Sequence, residues 1–464
     1  MFLKAMKNEL IKELKNVAFE VLSSKEECYA YAQDASNLKH ITNIPDAVVF
    51  VQTVEEVQEI VKLANKFKTP IICRGAGTNV VGACTVENGG IILNFSKMNK
   101  ILEINPTNMT AKIQPGVVLG EFQKQVEALG LFYPPDPSNL AVSTIGGSVA
   151  QASGGAKSFK YRTTKDYVID LKVVMADGSI LQTGSNTIKN ATGYNLTSLF
   201  VGSEGTLGIV VEITVKLIPK PEAKKVFMAY FDTVTDAVCA VNKIIERKIY
   251  PATIDFMDKN AILTVEKFYP ANLLTDKESA LVIEIDGFEN SMEYQEEIIL
   301  EVLNSSNASK IQASHNEEEY NKIWTARRSS MGACAMLKPN VTTDDVIVAR
   351  ENLAELVLGI REICEKYKLD VCMVGHVGDG SVHPQIPIDY NDEDEFNRYK
   401  KAKSEIYELT AKLGGLLSGE HGVGIEKRDF IDKVINPTSI DYMRKIKTIF
   451  DPNYILNPNK IFRL

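Results

Sequence analysis

Between residues 47 and 74 the spacing of apolar positions changes twice. Ala47 to Val51 is a short apolar run, and Thr53 with Glu56 forms a capping box. Val54, Val57, Ile60, Val61, Ala64 and Phe67 then recur at helical spacing, and Pro70 to Cys73 opens a second apolar run. The pattern predicts strand, helix and strand, ending in the glycine loop CRGAGTNVVGA (73–83), with GGIILNF (89–95) as a further strand. DYVIDLKVVMADGSIL (166–181) predicts a hairpin about Ala176-Asp177-Gly178, and LFVGSEGTLGIVVEITVKLIP (199–219) a glycine-punctuated turn feeding an alternating strand. Composition shifts at PKPEAKK (219–225), which reads as a linker. Beyond it, strands at 226–231, near 252–257, at 281–286 and near 309–313 alternate with helices ending near 247 and spanning about 291–304. That order predicts a small sheet with helices on one face. Residues 351–368 and 392–413 predict two more helices, the tail DPNYILNPNKIFRL a loop, and the start MFLKAMKNELIKELKN an amphipathic helix rather than a signal peptide.

At 464 residues the chain exceeds one ordinary core, so two or three domains are expected. Its 45% hydrophobic and 24% charged content describes a globular protein. A net charge of -8 leaves no basic stripe for phosphates, which excludes a nucleic-acid binder. No run approaches the 18 apolar residues of a membrane span, so an integral membrane protein is not expected. Seven cysteines form no CxxC pair, which excludes a ferredoxin-type insert or zinc ribbon and points to a reducing, cytoplasmic setting.

Three segments carry candidate chemistry. The glycines at 75, 77 and 82 fail the dinucleotide fingerprint, yet successive N–H groups in such a loop can cradle a phosphate. PPDPSNLAVSTIGGSVAQASGG (134–155) alternates proline, paired glycines and small residues, leaving room for a large flat or extended ligand. Three of the five histidines lie in GHVGDGSVH (375–383) and SGEHGVG (418–424). If Asp379-Gly380 is a two-residue hairpin loop, His376 stands directly opposite His383 and both rings converge on one ion. Glu420 is the candidate third ligand. Because Glu420 and His421 are adjacent, both reach one site only if the chain kinks at Gly419 and Gly422. Two nitrogens and a carboxylate oxygen suit zinc, ferrous iron or manganese.

Read together, RGAGT, PPDPS with TIGG, GYNLTSLFVGSEGTLGIV (193–210), GHVGDGSVH, SGEHGVG and DPNYILNPNKIF resemble, in order and over nearly the whole chain, the FAD-dependent 2-hydroxyacid dehydrogenases of the vanillyl-alcohol oxidase fold. That branch includes the glycolate oxidase flavin subunit, D-lactate dehydrogenases and D-2-hydroxyglutarate dehydrogenase. The resemblance implies an α+β protein with a two-subdomain FAD-binding domain (1–222), an α+β substrate or cap domain with an antiparallel sheet (223–424), and a C-terminal segment (425–464) returning to the FAD domain. It implies non-covalent FAD held by Arg74, Gly75, Ala76, Gly77, Thr78 and Asn79, by Pro135, Asp136, Ser138, Thr144, Gly146, Gly147, Ser148, Ser153 and Gly154, and by Glu204, Gly205 and Ile209. It also implies one divalent metal on His376, His383 and Glu420, with His421 as base.

Removing a proton and a hydride from one carbon–oxygen unit independently calls for a base, an electrophile on the hydroxyl and a cation for the substrate carboxylate. Arg327 in WTARR resembles the family's carboxylate-binding arginine, with Arg328 and Lys338 as alternatives. Departures from the family pattern are Ser381 and Ser148 in place of Asn, Tyr161-Arg162 in place of Tyr-Gly, and no proline in 342–348. Ser381 weighs against a second substrate carboxylate and toward lactate. The expected activity is D-lactate oxidation to pyruvate, with electrons passed to an electron-transferring flavoprotein. The alternatives are a glycolate oxidase type subunit serving an iron–sulfur subunit or quinone, a D-2-hydroxyglutarate dehydrogenase, and a flavin-free metal-binding protein.

Overall fold

The computed structural model describes residues 2–36, 38 and 43–464. The expected strand, helix and strand unit forms. Ala47–Phe50 and Ile71–Arg74 both pair parallel with Ile91–Asn94, and Glu20–Leu22 adds antiparallel to Ala47–Phe50. Between them, helix Val54–Phe67 starts at the Thr53/Glu56 capping box and buries Val57, Ile60, Val61 and Ala64. A second, antiparallel sheet runs Ile101–Asn105, Thr110–Ile113, Ile209–Lys216, Val168–Val174, Ile180–Gln182, and contains the expected 166–181 hairpin. Only residues 220–222 separate Ile218–Pro219, which pairs with Leu131–Phe132, from the next strand, so the expected linker is shorter than 219–225.

The third sheet is antiparallel throughout, in the order Lys310–Ala313, Ala223–Phe231, Ser279–Gly287, Thr253–Asp258, Cys372–Gly375, Ser381–Ile388, Asn340–Thr343, with Val346–Ile347 also on Ser381–Ile388. Helices cover both of its faces, not one as expected. Phe227, Ala229, Phe231, Ile283 and Phe256 pack under the helices Val234–Glu246, Met292–Ser305 and Leu353–Lys366, together with Glu393–Lys412. Val226, Met228, Tyr230 and Met257 on the other face pack under Lys259–Phe268 and Glu317–Arg328, together with Ser330–Cys334. Strands buried on both sides read as unbroken apolar runs such as VFMAYF, a signal that does not say which face is covered. After helix Pro437–Phe450 the chain has no further regular element, and Ile455 and Leu456 pack into the same core as Ala47 and Ile71.

Candidate functional site

A single deep cleft, whose empty space including its mouth is about 1950 Å³, is lined both by the residue 73–84 loop and 136–153 segment and by the face of the third sheet under Glu317–Arg328. Of the residues expected to hold FAD, Arg74, Gly75, Ala76, Gly77, Thr78, Asn79, Asp136, Ser138, Thr144, Gly146, Gly147, Ser148, Ser153, Glu204 and Gly205 line it. Pro135, Gly154 and Ile209 do not line it. The Pro135 carbonyl accepts a bond from Gln123, Ile209 is fully buried in the core of the first sheet, and Gly154 lies against the Glu420 carboxylate.

Asn79 and Glu204 in this lining have side chains committed elsewhere. Asn79 Oδ1 accepts from the Val81 and Ala83 amides and its Nδ2 donates to the His421 carbonyl, so it shapes the loop and ties it to the second motif. Glu204 stands at φ 54° and accepts from the Val423 and Gly424 amides. In contrast, Arg74 Nη1, Ser143 Oγ and Ser148 Oγ are buried without a partner. Buried donors left unpaired in a cleft fit a polar extended ligand, which pairs them on binding. FAD fits this lining.

The histidine pair converges by a register other than the expected one. Val374, not His376, faces His383, and His376 closes a four-residue turn by accepting from the Ser381 amide. The turn is longer because Gly380 takes the left-handed conformation, at φ 90°, while Asp379 stays outside that region. His376 and His383 therefore meet diagonally, on the same sheet face, with ring centroids 5.0 Å apart.

Glu420 joins them, its Oε1 lying 3.3 Å from His376 Nε2 and 3.5 Å from His383 Nε2. One ligand atom from each of the three lies within 4.8 Å of the others, and two imidazoles with one carboxylate fit a divalent metal. His421 stacks on His383 at 5.1 Å, its Nδ1 buried without a partner. Glu420 and His421 reach one centre because residues 418–424 are not a strand. The chain bends there, with Gly422 left-handed at φ 86°, where an added Cβ would lie 2.1 Å from Gln151 Oε1.

Two buried carboxylates that motif spacing did not single out brace the site. Asp255, on Thr253–Asp258, has Oδ1 2.7 Å from His376 Nδ1 and Oδ2 2.9 Å from Arg327 Nε, an ion pair not aligned for a hydrogen bond. Burial pushes the Asp255 carboxyl up, but Arg327 and His376 outweigh it and hold it below its ordinary value. Burial likewise opposes the charged form of His376, and Asp255 outweighs it, raising that imidazole well above its ordinary value. His383 is pushed down to about 4, chiefly by burial, and so is neutral and ready to ligate.

Asp345 is fully buried. Its Oδ2 accepts from Ser418 Oγ at 2.9 Å and from the Gly419, Glu420 and His421 amides at 2.8, 2.7 and 2.9 Å. Burial would raise this carboxyl, yet His421, Lys427, His383 and the Glu420 amide hold it far below the usual range. The one signal for Asp255 in the sequence is an acid inside the apolar run TIDFMD; nothing in the spacing of Asp344-Asp345 before VIV points to a site.

Of the three cations considered for the substrate carboxylate, Arg327 lines the cleft at 8% exposure and its Nη groups bond no described residue. Arg328 also lines it, its guanidinium over the Trp324 ring. Lys338 pairs with Glu395 and does not line the cleft. Ser381 is buried with its hydroxyl on Asp345 Oδ1 at 3.2 Å, so it braces the site and does not read a substrate tail.

Comparison with known proteins agrees with this geometry. Residues 45–184 match the FAD binding domain and residues 220–461 the FAD linked oxidases, C-terminal domain. The chain is 42% identical over 432 residues to glycolate oxidase subunit GlcD of Bacillus subtilis (strain 168), covering 93% of this chain and 92% of that one. It is 34% identical to D-lactate dehydrogenase of Anaerostipes hadrus (90% and 89% covered) and 33% identical to D-2-hydroxyglutarate dehydrogenase of Stutzerimonas stutzeri (strain A1501) (98% and 98%). A solved structure of p-cresol methylhydroxylase with substrate bound superposes with TM-score 0.84 at 18% identity, over 98% of this chain and 96% of that one, which shows the vanillyl-alcohol oxidase type of fold. With its cleft, its braced histidines and these relatives in agreement, the chain belongs to the FAD-linked 2-hydroxyacid dehydrogenase family.

Proposed function

We propose that the protein oxidises D-lactate to pyruvate and passes the electrons to an electron-transferring flavoprotein. The observation that carries this reading is the convergence in the cleft lining of Arg327, the His376/His383/Glu420 cluster and His421. Arg327 would hold the substrate carboxylate by paired N–H bonds while Asp255 fixes the arginine from behind. His421 would take the hydroxyl proton, presented by a backbone that Asp345 and Asn79 both hold. His376, His383 and Glu420 would hold a divalent metal, which when bound would supply a Lewis acid that lowers the pKa of the substrate hydroxyl. The 73–84 and 136–153 lining would hold FAD, which when bound would supply the hydride acceptor.

Support for a short apolar tail comes from Val374, which faces His383 across the strands, and from Met331; both line the cleft. Cys73 and Cys84 also line it, but burial pushes both thiols up to about 12, so neither is a thiolate ready to attach flavin; this supports non-covalent FAD. Among the described residues no helix is long and apolar enough to cross a membrane. The absence of CxxC and of a nicotinamide fingerprint supports a separate electron acceptor.

The test is anaerobic bleaching of the flavin by D-lactate, L-lactate, glycolate and D-2-hydroxyglutarate, each at several concentrations. D-Lactate is expected to bleach with the highest kcat/KM. A clear preference for glycolate, the reading favoured by the 42% identity to a glycolate oxidase subunit, would displace it.

A further inference from the structure

We infer that Asp345 is the positioning residue that makes two neighbouring residues, Glu420 and His421, serve a single centre. The inference rests on the reading above, in which Glu420 ligates and His421 takes a proton.

Neighbours on an extended chain point to opposite sides, so some force must bend residues 418–424 and keep them bent. Three consecutive N–H groups converging on one point form a nest, an arrangement that elsewhere holds a bound anion. Here the anion is internal. Asp345 Oδ2 fills the nest with the Gly419, Glu420 and His421 amides, and Ser418 Oγ adds a fourth bond. Ser418 in turn accepts from the Gly422 amide, closing the bend.

The second oxygen faces the other motif. Oδ1 lies 3.2 Å from Ser381 Oγ and 3.7 Å from His383 Nδ1, so one carboxylate spans the ligand strand Ser381–Ile388 and the ligand loop. The groups facing it are thus His383, Ser381, Ser418 and the loop amides, with Lys427, a further buried cation, contributing its charge. Charge-assisted bonds of this kind are about twice as strong as neutral ones. Losing them frees the loop that carries both functional side chains while leaving every ligand and the flavin lining intact.

The experiment uses the FAD-loaded full chain and Zn²⁺ as probe. Zinc affinity is measured by chelator competition, amide exchange is followed for the 418–424 peptide, and flavin absorbance is the control. Asp345→Ala is expected to lower zinc affinity about 10–100-fold, the range seen when groups behind metal ligands are removed. It should also speed exchange of the 419–421 amides and leave the flavin spectrum unchanged. Asp345→Asn, which keeps a neutral acceptor for the nest, should fall between parent and alanine. If the alanine variant does not fold, Ser418→Ala, which removes one of the four bonds to Asp345 Oδ2 together with the Gly422 bond that closes the bend, is expected to lower zinc affinity several-fold.

Parental zinc affinity in Asp345→Ala, or in Ser418→Ala where that variant is the one measured, overturns the inference. So does parental amide exchange. Failure of the underlying activity would look different: the zinc and exchange effects would appear, yet no 2-hydroxy acid would bleach the parent.

Discussion

Gly154→Ala should weaken the metal site without altering any ligand. An added Cβ would lie 2.7 Å from Glu420 Oε2 and 2.7 Å from Ser158 Oγ, about 0.7 Å inside the 3.4 Å at which ordinary van der Waals contact begins. Gly154 is not among the left-handed glycines, so the backbone accepts alanine, and the far end of Glu420 is what gives way. For folding the cost is small, about 1–2 kcal/mol, as for other single-methyl overpacking. For ligation it is large, because metal–ligand distances tolerate only about 0.2 Å. Glu420 Oε1, now 3.3 and 3.5 Å from the two Nε2 atoms, would be carried out of reach. Zinc affinity by chelator competition is therefore expected to fall at least 10-fold, with thermal unfolding within a few degrees of the parent and the flavin spectrum unchanged. Parental zinc affinity would refute the placement of Glu420; loss of flavin with metal retained would show that Gly154 serves the cofactor instead.

Other outcomes follow from the same contacts. Because Asp255 raises the His376 imidazole well above its ordinary value, zinc binding at pH 7 should release protons and weaken as pH falls. Calorimetry in two buffers of different ionisation enthalpy measures this, and release of none contradicts it. His421→Ala should slow anaerobic bleaching by about 10²–10⁴-fold with zinc retained; bleaching at the parental rate would remove His421 as the base. Arg327→Lys keeps a charge beside Asp255 but loses the planar fork, so KM for D-lactate should rise at least 10-fold, whereas Lys338→Met, whose partner Glu395 lies away from the cleft, should leave KM unchanged.

The limits of sequence reading are specific to particular residues. The capping box at Thr53 and Glu56, the 166–181 hairpin and the strand, helix and strand order were legible because they depend on neighbours in the chain. The His376/His383 convergence was also legible, but for the wrong pairing: a shift of two residues preserves the sheet face, so the conclusion survived a register that did not. Helix Lys259–Phe268 went unread because its cap, Asp258, is also the last residue of a strand.

Asp345 was invisible for a different reason. It braces a loop some 75 residues further along the chain, and no local spacing records that contact. Ser381 shows the reverse error, since a motif position taken to report on the substrate turns out to support Asp345. The apolar neighbours Val374 and Met331 now carry the case for a lactate-sized tail.

The central claim is that the histidine–glutamate centre and the FAD cleft act as one site on a D-2-hydroxy acid. Its most direct test is the rate at which D-lactate bleaches the flavin anaerobically in a single preparation, first as purified, then stripped by chelator, then resupplied with a divalent metal. The account predicts fast bleaching, its loss on stripping with the flavin still bound, and its return on resupply; equal rates in all three states would contradict it.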